Sequence, residues 1–70
     1  VNAIAPGPVD TEMLDGLDPK QIQRLLQGVP MRRLCTAAEV AMLTAFLLDE
    51  ALSPAYLTAQ AIALDGGMGL

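Results

Sequence analysis

The sequence predicts an α/β unit in which helices join two parallel strands at the edge of a larger sheet. Short apolar runs suited to buried strands occupy residues 1–5 and 60–64, at the two extremes of the chain. Helical patterns fill the sequence between them, and this order is typical of a right-handed parallel crossover. Hydrophobic residues make up 53% of the 70 residues, yet a chain of that length buries only about 60% of the surface that its unfolded form exposes. Two strands do not make a stable sheet, so the unit is predicted to be incomplete as a domain.

The first strand is predicted to stop abruptly and to lead into a short helix. Residues 6–8 read Pro-Gly-Pro, which ends a strand and begins a loop. The side chain of Asp10 or Thr11 could cap a helical segment through Leu14 by accepting from a backbone N–H of its first turn. Gly16 then ends that segment.

A second helix is predicted to begin at Asp18 and Pro19. Proline is preorganised for the first helical position, and Asp18 can serve as the N-cap. Apolar residues then recur at helical spacing while polar residues take the other face, so this helix should lie on a surface. The apolar stripe consists of Ile22, Leu25, Leu26 and Val29.

A third helix is predicted over residues 37–48, because Thr36 and Glu39 match a capping box at its start. Within it only Glu39 and Thr44 are polar, and a helix that is apolar nearly all round is buried on more than one side. A chain this short cannot cover such a helix, so its surface should contact a partner. The second strand, residues 60–64, follows and is closed by Asp65 and two glycines.

The charge pattern and the rare residues exclude several classes of function. The formal net charge is -4, with four Lys or Arg residues, which argues against nucleic acid and anionic membranes as partners. The chain has no His and one cysteine, Cys35, so neither a metal site nor an internal disulfide is predicted. The longest apolar stretch falls short of the ~18 residues of a membrane-spanning helix, and no targeting signal is visible. We therefore expect a cytoplasmic protein.

The loop between Pro6 and Thr11 is where a ligand would bind. In open α/β sheets, ligands lie beyond the carboxyl ends of the strands, and Gly7 permits close approach of backbone. The N–H groups of the helix beginning near Thr11 could face a phosphate. By spacing alone, however, an ordinary strand-to-helix turn is the favoured interpretation, since proline and glycine mark loops in all kinds of protein.

Four short segments resemble, in order and in spacing, those of one enzyme family. Residues 2–11 (NAIAPGPVDT) are similar to the pattern Asn-x-Ile-x-Pro-Gly-x-Val-x-Thr. Residues 33–41 (RLCTAAEVA) resemble the helix entry Arg-(Leu/Ile)-x-x-(Pro/Ala)-Glu-Glu-(Val/Ile)-Ala. Residues 56–60 (YLTAQ) and 64–67 (LDGG) resemble the closing segments Tyr-Ile-Thr-Gly-Gln and Val-Asp-Gly-Gly. One such segment is a weak signal, whereas four in register identify the chain as resembling the short-chain dehydrogenase/reductases.

The resemblance implies a Rossmann-type doubly wound parallel sheet, of which residues 1–70 would form the C-terminal edge as a single partial domain. It implies NAD or NADP as the cofactor, with the backbone of Pro6, Gly7 and Val9 near the nicotinamide ring and Thr11 bonded to its carboxamide or to the pyrophosphate. Fixing the carboxamide fixes which face of the ring offers its hydride. The implied reaction interconverts a small-molecule carbonyl and a secondary alcohol. A homo-oligomer is also implied, through the Ala37–Leu48 helix and the final strand.

Catalysis is not expected from these 70 residues alone. The family's glycine-rich phosphate turn, the residue that selects NAD or NADP, and the catalytic Asn, Ser and Tyr-x-x-x-Lys are absent from the sequence. Four places after Tyr56 stands Gln60 rather than Lys, so nothing there would lower the phenol pKa, and we predict a packed structural tyrosine. Two hypotheses follow. The chain is a piece of a longer reductase or dehydrogenase, or it is a non-catalytic chain that assembles with full-length relatives.

Three residues depart from the family's pattern. Cys35 stands where a glycine is usual, Ala37 where a proline is common, and Ala59 where the Thr-Gly-Gln turn has its glycine. If that turn needs a positive φ, Ala59 is strained there. Asn2 is predicted to be a buried hydrogen-bonding residue with a structural role.

Overall fold

The computed structural model describes the backbone of residues 1–69 and, apart from residue 13, their side chains. The elements run strand, three helices, strand, as the sequence predicts in type and order. Their bounds are β1 Ala3–Pro6, α1 Glu12–Asp15, α2 Pro19–Gln27, α3 Ala37–Leu48 and β2 Ala61–Leu64.

The two strands pair in parallel, with Ala3 opposite Ala61 and Pro6 opposite Leu64. β1 begins two residues later than predicted and includes Pro6. The Ala3 N–H donates to the carbonyl of Gln60, just before β2, and the Gly7 N–H donates to the carbonyl of Leu64, at the end of β2. Residues alternate in direction along a strand, so the Pro6 nitrogen faces the opposite edge and proline removes no bond from this ladder.

Helix α2 begins as predicted, with Asp18 as its N-cap. The Asp18 carboxylate accepts from the Gln21 N–H at 2.9 Å, and the Gln21 side-chain oxygen accepts from the Asp18 N–H at 3.0 Å. The helix ends at Gln27, so the predicted apolar stripe is wrong in its last member. Val29 lies beyond the helix, where it packs beneath the turn at Gly66 and is 1% exposed. Glycine at position 28 closes the helix before the stripe completes its second turn.

Helix α3 has the predicted bounds and the predicted capping box. The Thr36 hydroxyl accepts from the Glu39 N–H, and the Glu39 carboxylate accepts from the Thr36 N–H, both at 3.1 Å. No residue of this helix is buried. Met42 is 70% exposed and Leu48 is 77% exposed, as expected for an apolar helix that the rest of the chain is too short to cover.

The turn before β2 is held by Asn2. The Asn2 side-chain oxygen accepts from the Gln60 N–H at 3.0 Å, and its amide donates to the Leu57 carbonyl at 3.3 Å. The predicted structural role of Asn2 is thus confirmed, with the side chain half-buried. Ala59 has φ 59°, so this turn does require the left-handed region, and the predicted strain is present.

Tyr56 is not packed, and that prediction is wrong. Its side chain is 99% exposed, because the loop between α3 and β2 lies at the amino ends of the strands and no described element covers it. Among the side chains that the structure describes, Val29 is the only buried hydrophobic one. No helix within residues 1–69 is long and apolar enough to cross a membrane.

Candidate functional site

Two loops leave the sheet at the same edge. The first, residues 7–11, follows the carboxyl end of β1, and the second, residues 65–69, follows the carboxyl end of β2. The strands are parallel and in register, so the two loops begin side by side. The sequence-predicted site residues Pro6, Gly7, Val9 and Thr11 all lie on the first loop or at its start.

Gly7 lies against the second loop. Its N–H donates to the Leu64 carbonyl at 2.9 Å. A Cβ built on Gly7 would come within 3.0 Å of the Asp65 Cα and 3.1 Å of its Cβ, a tighter contact than most real side chains make. The backbone of Gly7 therefore lies close against Asp65, while the predicted approach of Gly7 to a cofactor stays a prediction.

Val9 is held on the other side by Cys35. The two residues form an isolated parallel bridge, in which the Cys35 N–H donates to the Pro8 carbonyl at 2.9 Å and the Asp10 N–H donates to the Cys35 carbonyl at 2.8 Å. Sequence reasoning treated Cys35 only as a departure from a family pattern and missed this contact. A single bridging residue leaves no alternation of apolar and polar positions, so no periodic signal could have found it.

The backbone N–H and C=O of Val9 have no partner among the described residues. The Pro8 carbonyl and the Asp10 N–H, on either side of Val9, point at Cys35. In a parallel bridge of this pattern the N–H and C=O of Val9 itself therefore point away from Cys35.

Thr11 also offers a free group, and here the predicted cap is wrong. It is the N-cap residue of α1, but its side chain makes no capping hydrogen bond, and the Leu14 N–H bonds to the Thr11 carbonyl at 2.9 Å instead. The Asp10 side chain does not replace it as the N-cap. With only four residues, α1 is closed by this tight turn, and the Thr11 hydroxyl is exposed. Gly16 ends the helix, as predicted.

An ion pair braces the Cys35 side of the loop. Arg33 donates to both carboxylate oxygens of Glu39, at 2.6 and 2.9 Å, and Glu39 also caps α3 through Thr36. The pKa of the Glu39 carboxyl is lowered to about 2, mainly by the hydrogen bond from Arg33 and next by the hydrogen bond from the Thr36 N–H. The same contact raises the pKa of Arg33. Both groups are charged at neutral pH. Their ion pair joins the two ends of the segment that contains Cys35, the residue that bridges to Val9.

Sequence comparison finds the family to which this arrangement belongs. The profile described as enoyl-(acyl carrier protein) reductase, a short-chain dehydrogenase/reductase profile, matches residues 1–69. The chain belongs to the short-chain dehydrogenase/reductase family. It corresponds to the C-terminal region of its relatives, as the resemblance of the four segments implied.

Curated relatives of this chain are much longer than it is. The 3-oxoacyl-[acyl-carrier-protein] reductase MabA of Mycobacterium tuberculosis is 44% identical over 69 residues, which cover 99% of this chain and 27% of the relative. The oxidoreductase YmfI of Bacillus subtilis is 42% identical over 67 residues, covering 96% and 27%. The chain thus spans about a quarter of the length of the relatives that it matches.

Solved structures of the family contain the same unit. A 3-oxoacyl-[acyl-carrier protein] reductase from Brucella melitensis superposes with a TM-score of 0.87 at 34% identity, over 100% of this chain and 25% of the other. A short chain dehydrogenase from Bacillus anthracis gives a TM-score of 0.78 at 36% identity, over 100% and 26%. The strand, helices and strand described above are therefore a piece of a Rossmann-type sheet.

Replacing Ala59 by glycine should stabilise the fold. A suitable host is a chimera in which this chain replaces the matching C-terminal region of the M. tuberculosis reductase. Left-handed φ costs a non-glycine residue about 1–2 kcal/mol, and the greater unfolded-state freedom of glycine takes back part of that. We expect Ala59→Gly to raise the Tm of the chimera by about 1–4 °C.

The matched control is Ala45→Gly, at an exposed position inside α3, which should lower the Tm because glycine costs about 1 kcal/mol in a helix. Equal Tm changes for the two variants would show that residue 59 is not strained.

Proposed function

We propose that residues 6–11 form the nicotinamide-facing wall of an NAD(P)-dependent oxidoreductase that interconverts a carbonyl and a secondary alcohol. The observation that carries the proposal is the pair of Val9 backbone groups at the carboxyl edge of the sheet, which point away from Cys35 and bond to no described residue, beside a Thr11 hydroxyl that caps no helix. Ligands of open α/β sheets bind at this edge. The family membership of the chain supports the choice of ligand.

The free groups of this loop match a carboxamide. A primary amide presents one carbonyl acceptor and an NH₂ donor, and Val9 offers an N–H and a C=O on the same side of the strand. Thr11 can donate to the carboxamide oxygen or to a pyrophosphate oxygen. Pro6 and Gly7 bring backbone, rather than side chains, up to the ring. Nicotinamide, when bound, supplies the hydride, and these residues would fix the ring face from which it leaves.

Reduction of a carbonyl is preferred over reduction of a carbon–carbon double bond. The matching profile is described as an enoyl-(acyl carrier protein) reductase, whereas several relatives that match nearly the whole chain are 3-oxoacyl-[acyl-carrier-protein] reductases. These 3-oxoacyl reductases share above 40% identity with this chain, so we assign a 3-oxoacyl type of substrate. Acetoacetyl-coenzyme A and crotonyl-coenzyme A, as small 3-oxoacyl and enoyl thioesters, separate the two reactions in the chimera.

Residues 1–70 act in this proposal as one partial domain. A groove of about 700 Å³, which Ile4, Leu47 and Leu57 help to line, lies between β1, the end of α3 and the loop that follows α3. A further strand of a Rossmann sheet would cover it. The glycine-rich turn and the Tyr-x-x-x-Lys residues, which the 70 residues do not contain, would come from outside this segment.

A homo-oligomer through α3 and β2 is part of the same proposal. Phe46, Met42 and Leu48 leave a large apolar surface exposed on α3, and within the described part of the chain β2 pairs only with β1. The same exposed surface favours the second candidate function, a non-catalytic chain that assembles with full-length relatives. The two candidate functions differ in cofactor binding. The oxidoreductase requires the loop at Pro6 to bind a nicotinamide cofactor, and the assembly chain does not.

Removing the Thr11 hydroxyl tests the proposed wall. Thr11→Val keeps the shape of the side chain and removes one hydrogen bond, worth about 0.5–1.5 kcal/mol, so KM for the nicotinamide cofactor in the chimera should rise about 3- to 10-fold. Thr11→Ser should restore it. The control is Thr44→Val, which removes a hydroxyl bonded only to the Val40 carbonyl on α3. An unchanged cofactor KM in Thr11→Val would contradict the assignment.

A further inference from the structure

The turn that follows β2 is organised by one carboxylate. The two oxygens of Asp65 accept from the Gly67 N–H at 3.0 Å and from the Gly69 N–H at 3.1 Å. The side chain is half-buried, and its two acceptors are used on the chain's own backbone. A side chain that bonds its own turn in this way fixes the backbone conformation locally.

The same turn lies between two other segments. On one side, Gly7 approaches so closely that a Cβ there would lie 3.0 Å from the Asp65 Cα. On the other side, the Gly66 carbonyl accepts from the Met31 N–H at 3.1 Å, and Val29 packs against Gly66. The first loop therefore lies against the turn that Asp65 organises. That turn lies in its own right against Val29, the one buried residue among the described side chains.

We propose that Asp65 is a positioning residue for the nicotinamide-facing wall, and this inference rests on the function proposed above. It touches no cofactor. By holding the turn after β2 rigid, Asp65 sets the position of Gly7. Through Gly7 it also sets the direction of the Val9 backbone groups two residues later. Displacements of about 1 Å at a reacting centre cost on the order of 100-fold in rate, so a support of this kind has a functional effect.

Two substitutions of Asp65 should weaken the proposed support of Gly7 to different extents. Asp65→Ala removes both acceptors. Asp65→Asn keeps the oxygen that can accept from Gly67 and puts an NH₂ group where the Gly69 N–H was accepted. If the hydrogen bonds of the turn carry the effect, kcat/KM for the cofactor should fall strongly in Asp65→Ala and less in Asp65→Asn. Asp65→Asn also provides a milder variant if Asp65→Ala unfolds.

The control is Asp49→Ala. Asp49 also accepts from a backbone N–H two residues later, that of Ala51 at 2.9 Å. It follows α3 and lines a groove whose lining includes no residue of the first loop. Both alanine variants thus lose a turn-forming carboxylate, and only one of them supports Gly7.

The experiment measures steady-state kinetics of the chimera with acetoacetyl-coenzyme A and whichever of NADH and NADPH it uses. We expect Asp65→Ala to lower kcat/KM for the cofactor on the order of 10- to 100-fold, mainly through KM, and to leave KM for the thioester unchanged. Asp65→Asn should lose less, and Asp49→Ala should match the unsubstituted chimera. An equal loss in the two alanine variants, or equal increases in both KM values, would overturn the inference.

Hydrogen exchange provides a readout that does not depend on turnover. The Gly7 and Asp10 N–H groups are bonded in the intact loop, so deuterium uptake by a peptide covering residues 6–11 should rise in Asp65→Ala and not in Asp49→Ala. Unchanged uptake refutes the positioning role even if the chimera is inactive. Inactivity of the unsubstituted chimera refutes the proposed function instead, so the two failures are distinguishable.

Discussion

The 70-residue chain, prepared alone, should catalyse no NADH- or NADPH-dependent reduction of acetoacetyl-coenzyme A. Enzymes of this kind accelerate their reactions by about 10⁶-fold or more, and the groups that the family uses for the chemical step are absent from this sequence. Tyr56 cannot replace them, because it is fully exposed at the amino ends of the strands, while the proposed cofactor wall, residues 6–11, follows the carboxyl end of β1. The absorbance of the reduced cofactor measures the rate.

The chimera is the positive counterpart of this experiment. The M. tuberculosis reductase without its C-terminal region should be inactive, and joining the present chain to it should restore turnover with a 3-oxoacyl thioester. Turnover above background by the isolated chain would contradict the proposal, since a cofactor wall alone supplies orientation and no proton transfer. The isolated chain should also lack a sharp thermal transition in circular dichroism, because one buried hydrophobic residue among those described is not a core.

Replacing Gly66 by alanine should destabilise the chimera more than any other single change considered. Gly66 has φ 62°, and a Cβ there would lie 2.8 Å from the Val29 Cγ1. Val29 is buried and β-branched, so its side chain has little freedom to move aside. Left-handed φ costs about 1–2 kcal/mol and overpacking about 1–3 kcal/mol. The lower unfolded-state entropy of alanine offsets about 0.4–1 kcal/mol of that sum, so Gly66→Ala should lower stability by about 2–4 kcal/mol. In a chain of the relatives' size this lowers the Tm by roughly 4–16 °C.

Gly16→Ala is the matched control for this substitution. Gly16 lies at φ -79° at the end of α1, and nothing comes within 4 Å of its added Cβ. The same change of residue should therefore be neutral or stabilise by up to about 1 kcal/mol. A Tm for Gly66→Ala equal to that of Gly16→Ala would show that the turn after β2 is free to move, and it would also remove the support assigned to Asp65.

The helix starts could be predicted because their signals are local. Asp18 caps α2 and Thr36 caps α3 through side chains that reach a backbone N–H three residues away, so a few neighbouring letters specify the contact. Thr11 shows the limit of such reasoning. It stands at the N-cap of α1, but in a helix of four residues the Leu14 N–H bonds to the Thr11 carbonyl, and the hydroxyl remains free.

Burial was harder to predict than element type. Tyr56 was expected to pack and is exposed, whereas Val29 was placed on a helical stripe and lies beyond the helix as the buried residue. Both outcomes depend on which other segment comes near. Gly66 meets Val29, while no described element covers the loop that carries Tyr56, and neither fact follows from hydrophobic spacing.

The loop that begins at Pro6 also shows which features the sequence specifies by itself and which depend on the tertiary structure. By itself the sequence determined the elements, their order, the helix caps and, through four segments in register, the family. Only the tertiary structure decided that Cys35 bridges to Val9, that Asp65 lies against Gly7, and which polar groups of the loop remain free. The physical reason is separation along the chain. A cap joins residues three apart, but these contacts join residues up to 58 positions apart and exist only once β1 and β2 lie side by side, as their register from Ala3↔Ala61 shows.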